Sequence, residues 1–466
     1  MPLVIPKRKI KTADTRKKSE TVDFLREAWY NMRIRILCED VCMIDDKERD
    51  DGFKRFDMAK PPVKQNPLLM PLIWALTLPD VKKHRTKIVK TGVEGLKPPY
   101  LLLCNHNAFL DFKVCTKAIF PHRTNYVIAI DGFIGREKLL RSVGGVCKRK
   151  FTNDIQLIRS IRRVIEKGSI LVLYPEARYS LCGTDAVLPD SLGTLCRRLK
   201  VPVVTLICHG HHVNSPFWNL KQRHVRGTEA EMKLLFTPEQ LETLDDAQIN
   251  AAIRKEFEYD DFAWQKERGI KITAPFRAEG LHKVLYQCPA CKKEYRMASK
   301  GDTIFCRECG KVWRMTELGE LQAEEGETEF SHIPDWYEWE RASVRKEVEA
   351  GEYNFECECH VRSLPNARKF IYIGEGTLKH DMRGFHLHGS GEYGGFSMEI
   401  PAQNLYSCHI EYEYLGKYGD CVDLNTLRDT YYIYPHGEDF AVTKLALATE
   451  ELFNDYWRRR GKEKNV

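Results

Sequence analysis

Short apolar runs alternate with amphipathic stretches from about residue 87 to residue 210. The stretch Asp154–Lys167 places its apolar residues three and four apart, which predicts a helix with one buried face. Four apolar runs have the length expected of buried strands: Tyr100–Cys104, Tyr126–Ile130, Ile170–Tyr174 and Val201–Cys208. The alternation predicts an α/β domain with a largely parallel sheet. In such sheets the functional loops follow the carboxyl ends of the strands.

The pattern changes to a period of two beyond Phe355. The segments "GFHLHG", "CHIEYEY" and "TYYIYP" alternate, and glycine-rich breaks separate them. This pattern predicts a small antiparallel β domain, which Phe440–Arg460 closes as a strand followed by an amphipathic helix. The order of several strands and one helix is similar to that of a pleckstrin-homology-like barrel.

The region between these two domains contains a helix and a linker. The segment Pro334–Gly351 predicts a helix that begins at a proline and ends at a glycine, and residues 317–329 are typical of an acidic linker. We expect five segments in all: a basic helical region that could lie on a membrane surface (1–84), the α/β domain (85–275), a small cysteine-containing unit (282–316), the acidic linker with its helix (317–354), and the β domain with its terminal helix (355–466).

Two apolar features of the amino-terminal region could contact lipid. Residues 21–37 place apolar side chains on one helical face, which would either pack on its own domain or rest in a membrane interface. The run Pro67–Pro79 has 13 residues and three prolines, whereas a membrane span needs about 20 residues. We therefore expect a cytoplasmic protein, peripheral on the inner face of a membrane.

The charge of the chain is concentrated at its amino-terminal end. The net charge is +7, and residues 1–95 hold 21 Lys and Arg against 14 Asp and Glu. A basic region of this kind could serve anionic lipid, nucleic acid or solubility alone. We expect no nucleic-acid partner, because residues 317–358 are acidic and the basic residues are not interleaved with aromatic ones.

The cysteine pattern predicts a metal site. The chain has 16 cysteines, and its first 20 residues lack the apolar core of a secretory signal, so we expect reduced thiols. Two CxxC pairs are separated by 14 residues, which is a spacing typical of one tetrahedral zinc ion: Cys288, Cys291, Cys306 and Cys309. Such a site is closed, so Zn²⁺ would be structural, and the unit resembles a zinc ribbon.

The segment "LLLCNHNAFLD" carries a candidate base and its orienting acid. His106 follows a predicted strand, and Asp111 lies near the start of the next predicted helix. An imidazole titrates near neutral pH, and a carboxylate can fix its tautomer. No activated serine or cysteine accompanies them, since Cys104 lies within the apolar run. The pair therefore favours a reaction in which a hydroxyl of the substrate is the nucleophile.

This segment also resembles the NHx4D block of the glycerolipid acyltransferases. Three later segments are similar to the further blocks of that family and follow in the family's order: "GGVCKRKF" (144–151), "YPEARYS" (174–180) and "VPVVTL" (201–206). The resemblance covers roughly residues 85–270 and implies an acyltransferase domain. It implies transfer of a fatty acyl group from acyl-CoA or acyl carrier protein to the hydroxyl of a lysophospholipid or glycerol phosphate, with lysophosphatidic acid as the default acceptor.

The resemblance also implies roles for individual residues. His106 would deprotonate the acceptor hydroxyl, and Asp111 would orient His106. The residues implied in substrate binding are Asn105, Lys148, Arg149, Lys150, Glu176, Arg178 and Pro202. The three residues of the basic cluster would hold the acceptor's phosphate, Glu176 and Arg178 would place the glycerol phosphate, and Pro202 would shape the acyl or acceptor pocket.

Departures from the family pattern leave alternatives open. Ala177 replaces the usual glycine of the third block, Arg178 stands one place early, and Cys147 and Lys148 replace an aromatic and aliphatic pair. A catalytically degenerate lipid-binding or scaffold protein is therefore the alternative function. The cluster Cys208–His212 could bind a second metal, line the acceptor pocket or have no role.

Overall fold

The computed structural model describes residues 51–414 and 418–463. The predicted helix over residues 21–37 lies outside the described residues, as does the amino-terminal region up to residue 50. The described residues all belong to one compact unit.

A seven-stranded sheet forms the centre of the α/β domain, in the order β1-β7-β6-β2-β5-β3-β4. Its strands are β1 (Lys87–Thr91), β2 (Leu101–Cys104), β3 (Thr124–Ala129), β4 (Gly145–Lys148), β5 (Ile170–Leu173), β6 (Val203–His209) and β7 (Glu229–Phe236). Every neighbouring pair is parallel except β6 and β7. The predicted largely parallel sheet is therefore confirmed, and four of its strands coincide with the four apolar runs.

Helices cover both faces of this sheet. They are α1 (Met70–Lys83), α2 (Leu110–Ala118), α3 (Glu137–Ser142), α4 (Ile155–Glu166), α5 (Ser191–Leu199), α6 (His211–Asn214), α7 (Pro238–Thr243), α8 (Asp246–Glu256) and α9 (Asp261–Glu267). The core on one face is built with α4, α5 and α8, and the core on the other face with α1 and α2. The predicted helix α4 begins after Asp154, whose side chain accepts a hydrogen bond from Gln156 N–H.

A small antiparallel sheet follows, in the order β11-β10-β9-β8. Its strands are β8 (Met297–Lys300), β9 (Thr303–Cys306), β10 (Val312–Met315) and β11 (Leu321–Ala323). The segment predicted as an acidic linker thus includes β11, which pairs with β10. A local excess of acidic residues did not prevent this pairing, because Leu321 packs inward while the acidic side chains remain at the surface.

The carboxy-terminal region consists of α10 (Ile333–Ala350), seven strands and the terminal helix α11 (Val442–Glu463). The strands are β12 (Asn354–Ser363), β13 (Ile371–Asp381), β14 (Gly384–Gly391), β15 (Gly394–Pro401), β16 (His409–Glu411), β17 (Cys421–Asn425) and β18 (Thr430–Pro435). They form one sheet in the order β15-β14-β13-β12-β18-β17-β16, and every pair is antiparallel. The antiparallel β domain predicted from the period of two is confirmed.

The β domain contacts the α/β domain where the chemistry of a parallel sheet is expected. Arg149 follows the carboxyl end of β4, and its guanidinium donates to three carbonyls and one hydroxyl of the β domain at 2.6–3.1 Å. Arg178 lies in the loop after β5 and forms a buried ion pair with Glu450 of α11 at 2.7 Å. The β domain is therefore attached to the loops at the carboxyl edge of the sheet.

None of the helices within residues 51–414 and 418–463 combines the length and the apolar character that crossing a membrane requires.

Candidate active site and metal centre

Asn105 joins the ends of two neighbouring strands. Its side-chain amide donates to the carbonyl of Cys208 at 2.9 Å, and its side-chain oxygen accepts from Cys208 N–H at 2.8 Å. Because β2 and β6 are adjacent, this two-way bond fixes the loop after β2 against the carboxyl end of β6. The Asn105 side-chain amide is thus engaged in a contact within the protein. Its role in substrate binding remains a prediction.

His106 and Asp111 lie together at the carboxyl end of β2. His106 Nδ1 is 3.1 Å from Asp111 Oδ2. The same carboxylate oxygen accepts the backbone N–H groups of Asn107 at 2.6 Å and Ala108 at 2.9 Å. Asp111 is in the first turn of α2, so the carboxylate reaches back over the loop that carries His106. The imidazole is thereby held with its Nδ1–H toward the carboxylate.

The charge of Asp111 is stabilised although the side chain is fully buried. Burial by itself raises the pKa of a carboxyl group, but hydrogen bonds from His106 and His211 outweigh burial and lower the pKa of Asp111 to about 2. Asp111 is therefore ionised at neutral pH. An ionised partner is what a base needs in order to gain a proton.

The ring of His106 lies between two tyrosines, with its far nitrogen available. The ring centroids of Tyr174 and Tyr179 are each 4.3 Å from that of His106. The His106 side chain is 23% exposed, and no hydrogen bond among the described residues uses its Nε2. The arrangement can chemically accept a proton from a group that approaches Nε2.

Glu176 supports the His106 loop through the backbone. Its Oε2 accepts the N–H of His106 at 2.5 Å, and its Oε1 accepts the N–H of Ala186 at 3.0 Å. Burial raises the pKa of Glu176 to about 8, although both of these backbone donors oppose the rise. The structure thus places the Glu176 carboxyl group next to His106, where it contacts the main-chain N–H and not the imidazole.

Ala177 explains one departure from the family pattern. Its φ is 56°, in the left-handed region. Glycine adopts this conformation freely, whereas an L-residue costs about 1 kcal/mol or more there. The backbone at position 177 is therefore one that favours glycine, although this chain has alanine there.

The structure does not bring the predicted phosphate-binding arginines to His106. Arg149 and Arg178 are both buried and are engaged by the β domain, as described above. Lys150 Nζ is 3.0 Å from His409 Nε2, 3.6 Å from a carboxylate oxygen of Asp423 and 3.7 Å from one of Asp131. Three of the four predicted cations are thus occupied by other groups of the protein.

Lys148 is the remaining cation of the predicted set. Its ammonium group forms no ion pair among the described residues, and burial lowers its pKa. A cation that forms no ion pair is available to bind an anion.

Pro202 lies away from the candidate site. Its carbonyl accepts the N–H of Leu101, the first residue of β2, at 3.0 Å. Pro202 is thus at the amino edge of the sheet, whereas His106 follows the carboxyl end of β2. The predicted pocket role of Pro202 does not fit this position, because the two edges are separated by the length of a strand.

The sequence interpretation left His211 without a specific role, yet this residue contacts the centre directly. Its Nδ1 is 2.5 Å from Asp111 Oδ1, on the side of the carboxylate that does not face His106. His211 begins the short helix α6 at the carboxyl end of β6. Its position after a strand was the available signal, since β2 and β6 are neighbours and their following loops meet.

Possible metal-ligating atoms of Asp111, Cys208 and His211 lie within 4.8 Å of one another. The His211 nitrogen that faces Asp111 is already at hydrogen-bonding distance from Oδ1 of that carboxylate. The other carboxylate oxygen accepts from His106 and from two backbone N–H groups, so both oxygens of Asp111 are already engaged by donors. We therefore interpret this cluster as a hydrogen-bonded network.

The four cysteines of the two CxxC pairs lie close together and could hold a metal ion. The Sγ atoms of Cys288 and Cys309 are 3.7 Å apart, as are those of Cys291 and Cys306. Both pairs form the same turn, in which Lys292 N–H donates to Cys288 O and Gly310 N–H donates to Cys306 O. A tetrahedral ion with bonds of about 2.3 Å to sulfur separates its ligands by about 3.8 Å. The cysteine geometry fits such an ion.

The raised pKa of Glu176 makes a prediction about stability. Between its usual value of 4.5 and about 8, the folded state keeps a proton that the unfolded state loses, so this group's contribution to stability falls as the pH rises. Glu176→Gln has no such group, so its unfolding free energy relative to wild type should increase by roughly 3–4 kcal/mol between pH 5 and pH 8. Urea unfolding at both pH values measures this difference. An equal difference at the two pH values would contradict the prediction.

Comparisons with known proteins give limited information. No family model matches the chain, and no curated protein matches it. The solved structures similar to this chain include the 1-acyl-sn-glycerophosphate (LPA) acyltransferase PlsC from Thermotoga maritima. The two are 14% identical, the match covers 43% of this chain and 78% of that one, and the TM-score is 0.32.

Proposed function

We propose that this chain is an O-acyltransferase that moves a fatty acyl group from an acyl thioester to the hydroxyl of a glycerol-phosphate-type lipid acceptor. The observation that carries the proposal is the His106–Asp111 pair. A partly exposed imidazole is hydrogen-bonded at 3.1 Å to a fully buried, ionised carboxylate. The pair lies at the carboxyl edge of a largely parallel sheet, where such domains place their chemistry.

His106 would act as the general base. Its Nε2 would take the proton of the acceptor hydroxyl while the hydroxyl oxygen attacks the thioester carbonyl, and Asp111 would stabilise the imidazolium that forms. Collapse of the tetrahedral intermediate breaks the carbon–sulfur bond. The leaving thiolate, of CoA or of an acyl carrier protein, then takes the proton back from His106. The protein supplies no covalent nucleophile in this scheme.

We propose an acceptor that carries a phosphate group, with lysophosphatidic acid as the default. Lys148 is the predicted cation that forms no ion pair among the described residues, and it is the last residue of β4, at the carboxyl edge of the sheet. Lys150 is surrounded by Asp131, Asp423 and His409. We therefore assign the main phosphate contact to Lys148.

One observation favours the alternative, a lipid-binding or scaffold protein without activity. Arg149 and Arg178, which would hold substrate in an acyltransferase, are bound to the β domain. The intact hydrogen bond between His106 and Asp111 supports the enzyme instead, since a scaffold does not need an oriented base.

The membrane surface is the proposed partner of α1. Leu68, just before this helix, is 85% exposed, and Leu72 and Leu76 are 54% and 66% exposed. These positions are four residues apart and so lie on one side, together with Pro71 and Pro79. Lys82 and Lys83 end the helix. An apolar face with adjacent cations suits the interface of an anionic membrane.

We assign Zn²⁺ to the four cysteines as a structural ion. Four thiolates at tetrahedral spacing favour zinc and leave no open coordination position. A zinc-ribbon assignment agrees with the two CxxC turns and the four-stranded antiparallel sheet that carries one of them. The ion would stabilise a unit with few core residues of its own.

The carboxy-terminal domain is proposed to be pleckstrin-homology-like. The strands β12 to β15 and β16 to β18 each form a meander, β12 also pairs with β18, and α11 follows the last strand. This order of elements agrees with a partly open barrel closed by a terminal helix. Its ligand is left open.

His106→Ala should abolish acyl transfer. The purified protein is incubated with labelled acyl-CoA and a panel of lysolipids, glycerol phosphate and dihydroxyacetone phosphate. Loss of the base should lower the rate by at least about 100-fold. The exposed His122 supplies the matched control, His122→Ala, which should keep full activity. Vesicle binding by a wild-type protein that transfers no acyl group would instead support the scaffold.

Lys148→Ala should weaken binding of acceptors that carry a phosphate. We expect KM for such an acceptor to rise about tenfold with little change in kcat, since one charge-assisted contact is lost. KM for a monoacylglycerol, which has no phosphate, should not change. Arg149→Ala is the contrasting variant: it should lower the unfolding free energy by about 2 kcal/mol, because four hydrogen bonds to the β domain are lost, and should leave KM unaltered. A raised KM in Arg149→Ala together with an unchanged KM in Lys148→Ala would contradict the assignment of the phosphate contact to Lys148.

Removal of the metal should destabilise the protein. We expect about one zinc ion per chain by elemental analysis, and a lower thermal midpoint after treatment with a strong chelator. Cys306→Ser should reproduce both effects. Cys357→Ser, which alters a cysteine of β12 outside the cluster, should show neither. A chain that contains no zinc and does not respond to the chelator would refute the assignment.

Charges on the exposed face of α1 should reduce membrane binding. The double variant Leu72→Asp/Leu76→Asp should bind anionic phospholipid vesicles at least about tenfold more weakly. It replaces two apolar side chains that would enter the membrane interface with charged ones. Leu220→Asp alters a leucine of similar exposure, 62%, outside α1 and should bind like wild type. Equal vesicle binding by the double variant and wild type would exclude α1 as the contact. Vesicle sedimentation measures both variants.

A further inference from the structure

The two oxygens of the Asp111 carboxylate have different partners. Oδ2 faces His106 and also accepts the two backbone N–H groups of the loop. Oδ1 is directed to His211 Nδ1, at 2.5 Å. Asp111 is thus held between two imidazoles, of which only His106 is partly exposed. His211 is buried.

The position of His211 is fixed by its surroundings. Gly210, immediately before it, has a φ of 83°, and a Cβ there would lie 2.6 Å from the Trp264 ring. The carboxylate of Asp261 accepts the N–H of Gly210 at 3.0 Å and that of His212 at 2.9 Å. The backbone on both sides of His211 is therefore anchored to α9. This anchoring leaves the imidazole little freedom to leave Asp111.

The hydrogen bonds also define the tautomer of His211. Asp111 is ionised and can only accept, so His211 must carry a proton on Nδ1. Nε2 of His211 is buried and has no hydrogen-bond partner among the described residues. His211 therefore acts as a fixed donor to Asp111.

We propose that His211 is a positioning residue for the general base: by holding Asp111 Oδ1, it keeps Oδ2 in line with His106 Nδ1 and limits the basicity of the carboxylate. This inference rests on the proposed function for its catalytic meaning. Without His211, the carboxylate could turn about its last torsion, and Oδ1 would be a buried acceptor without a donor. His106 would then be less well oriented. The charge of Asp111, no longer shared with a second imidazole, would also stabilise the protonated form of His106 more strongly.

The test compares donor and non-donor side chains at position 211. His211→Leu keeps the volume and removes the donor, and His211→Met is a second non-donor variant with a flexible chain, in case the first does not fold. His211→Asn can place an amide N–H where Nδ1 now lies. His212→Leu is the matched control, because His212 is also buried but packs against Trp218 and Phe262 and forms no hydrogen bond with Asp111.

The main readout is the pKa of His106, which is measured by an NMR titration of the protein with labelled histidine. The signal of His106 is assigned as the one that is missing in His106→Gln. Several other groups surround this network and are the same in all four variants: Tyr174, Tyr179, Glu176, Cys104, Cys208, His84, His209 and Asp261. We expect the pKa of His106 to rise by about half a pH unit or more in the non-donor variants. It should return to the wild-type value in His211→Asn.

Kinetics supply the second readout. The non-donor variants should lose about tenfold in kcat with little change in KM, and the acidic limb of the pH profile should move to higher pH. His212→Leu should lower the thermal midpoint without moving that limb. An unchanged pKa of His106 in folded His211→Leu or His211→Met would overturn the inference. The titration needs no substrate, so it decides the inference even if wild type shows no acyl transfer, a result that would refute the proposed function alone.

Discussion

The buried carboxylate of Asp111 is the constraint around which the site is organised. Removing a carboxylate from water costs several kcal/mol, and this protein offsets that cost with four donors on two oxygens. Two donors are backbone N–H groups of the loop after β2, and two are imidazoles. The loop, the start of α2 and the start of α6 must all be correctly placed for the charge to be tolerated. The geometry of His106 is a consequence of that requirement.

The β domain is a structural part of the same edge of the sheet. Glu450 on α11 accepts from Arg178, Arg341 and Ser407, so one buried carboxylate joins the loop after β5 to α10 and to the segment before β16. Breaking such a buried pair by removing one partner typically costs about 3–5 kcal/mol. The loop that contains Arg178 also contains Glu176, which supports the backbone of His106. Local order at the candidate base therefore depends on residues more than 250 positions away along the chain.

Much of the fold could be predicted because it follows from local patterns. The run Ile170–Tyr174 and the strand β5 agree within one residue, and the helix after Asp154 begins where its side chain can cap it. The segment predicted as a linker contains the strand β11, which was not predicted. With only three residues among acidic neighbours, β11 is too short to show the alternation typical of a strand. The prediction for Pro202 failed to account for direction, since a residue before β6 lies at the opposite edge from a residue after β2.

The sequence alone determined the main buried strands, the cysteine spacing that suits a metal, and the proximity of His106 and Asp111, because each depends on short separations along the chain. It could not determine which partners the long basic side chains choose. Lys148, Arg149 and Lys150 are consecutive and chemically alike. Within the part of the chain that the structure describes, Lys148 forms no ion pair, Arg149 is enclosed by carbonyls of the β domain and Lys150 faces two carboxylates. Those partners come from distant segments, as does His211 for Asp111. Only tertiary packing brings them within reach, because a hydrogen bond acts over about 3 Å whatever the separation in sequence.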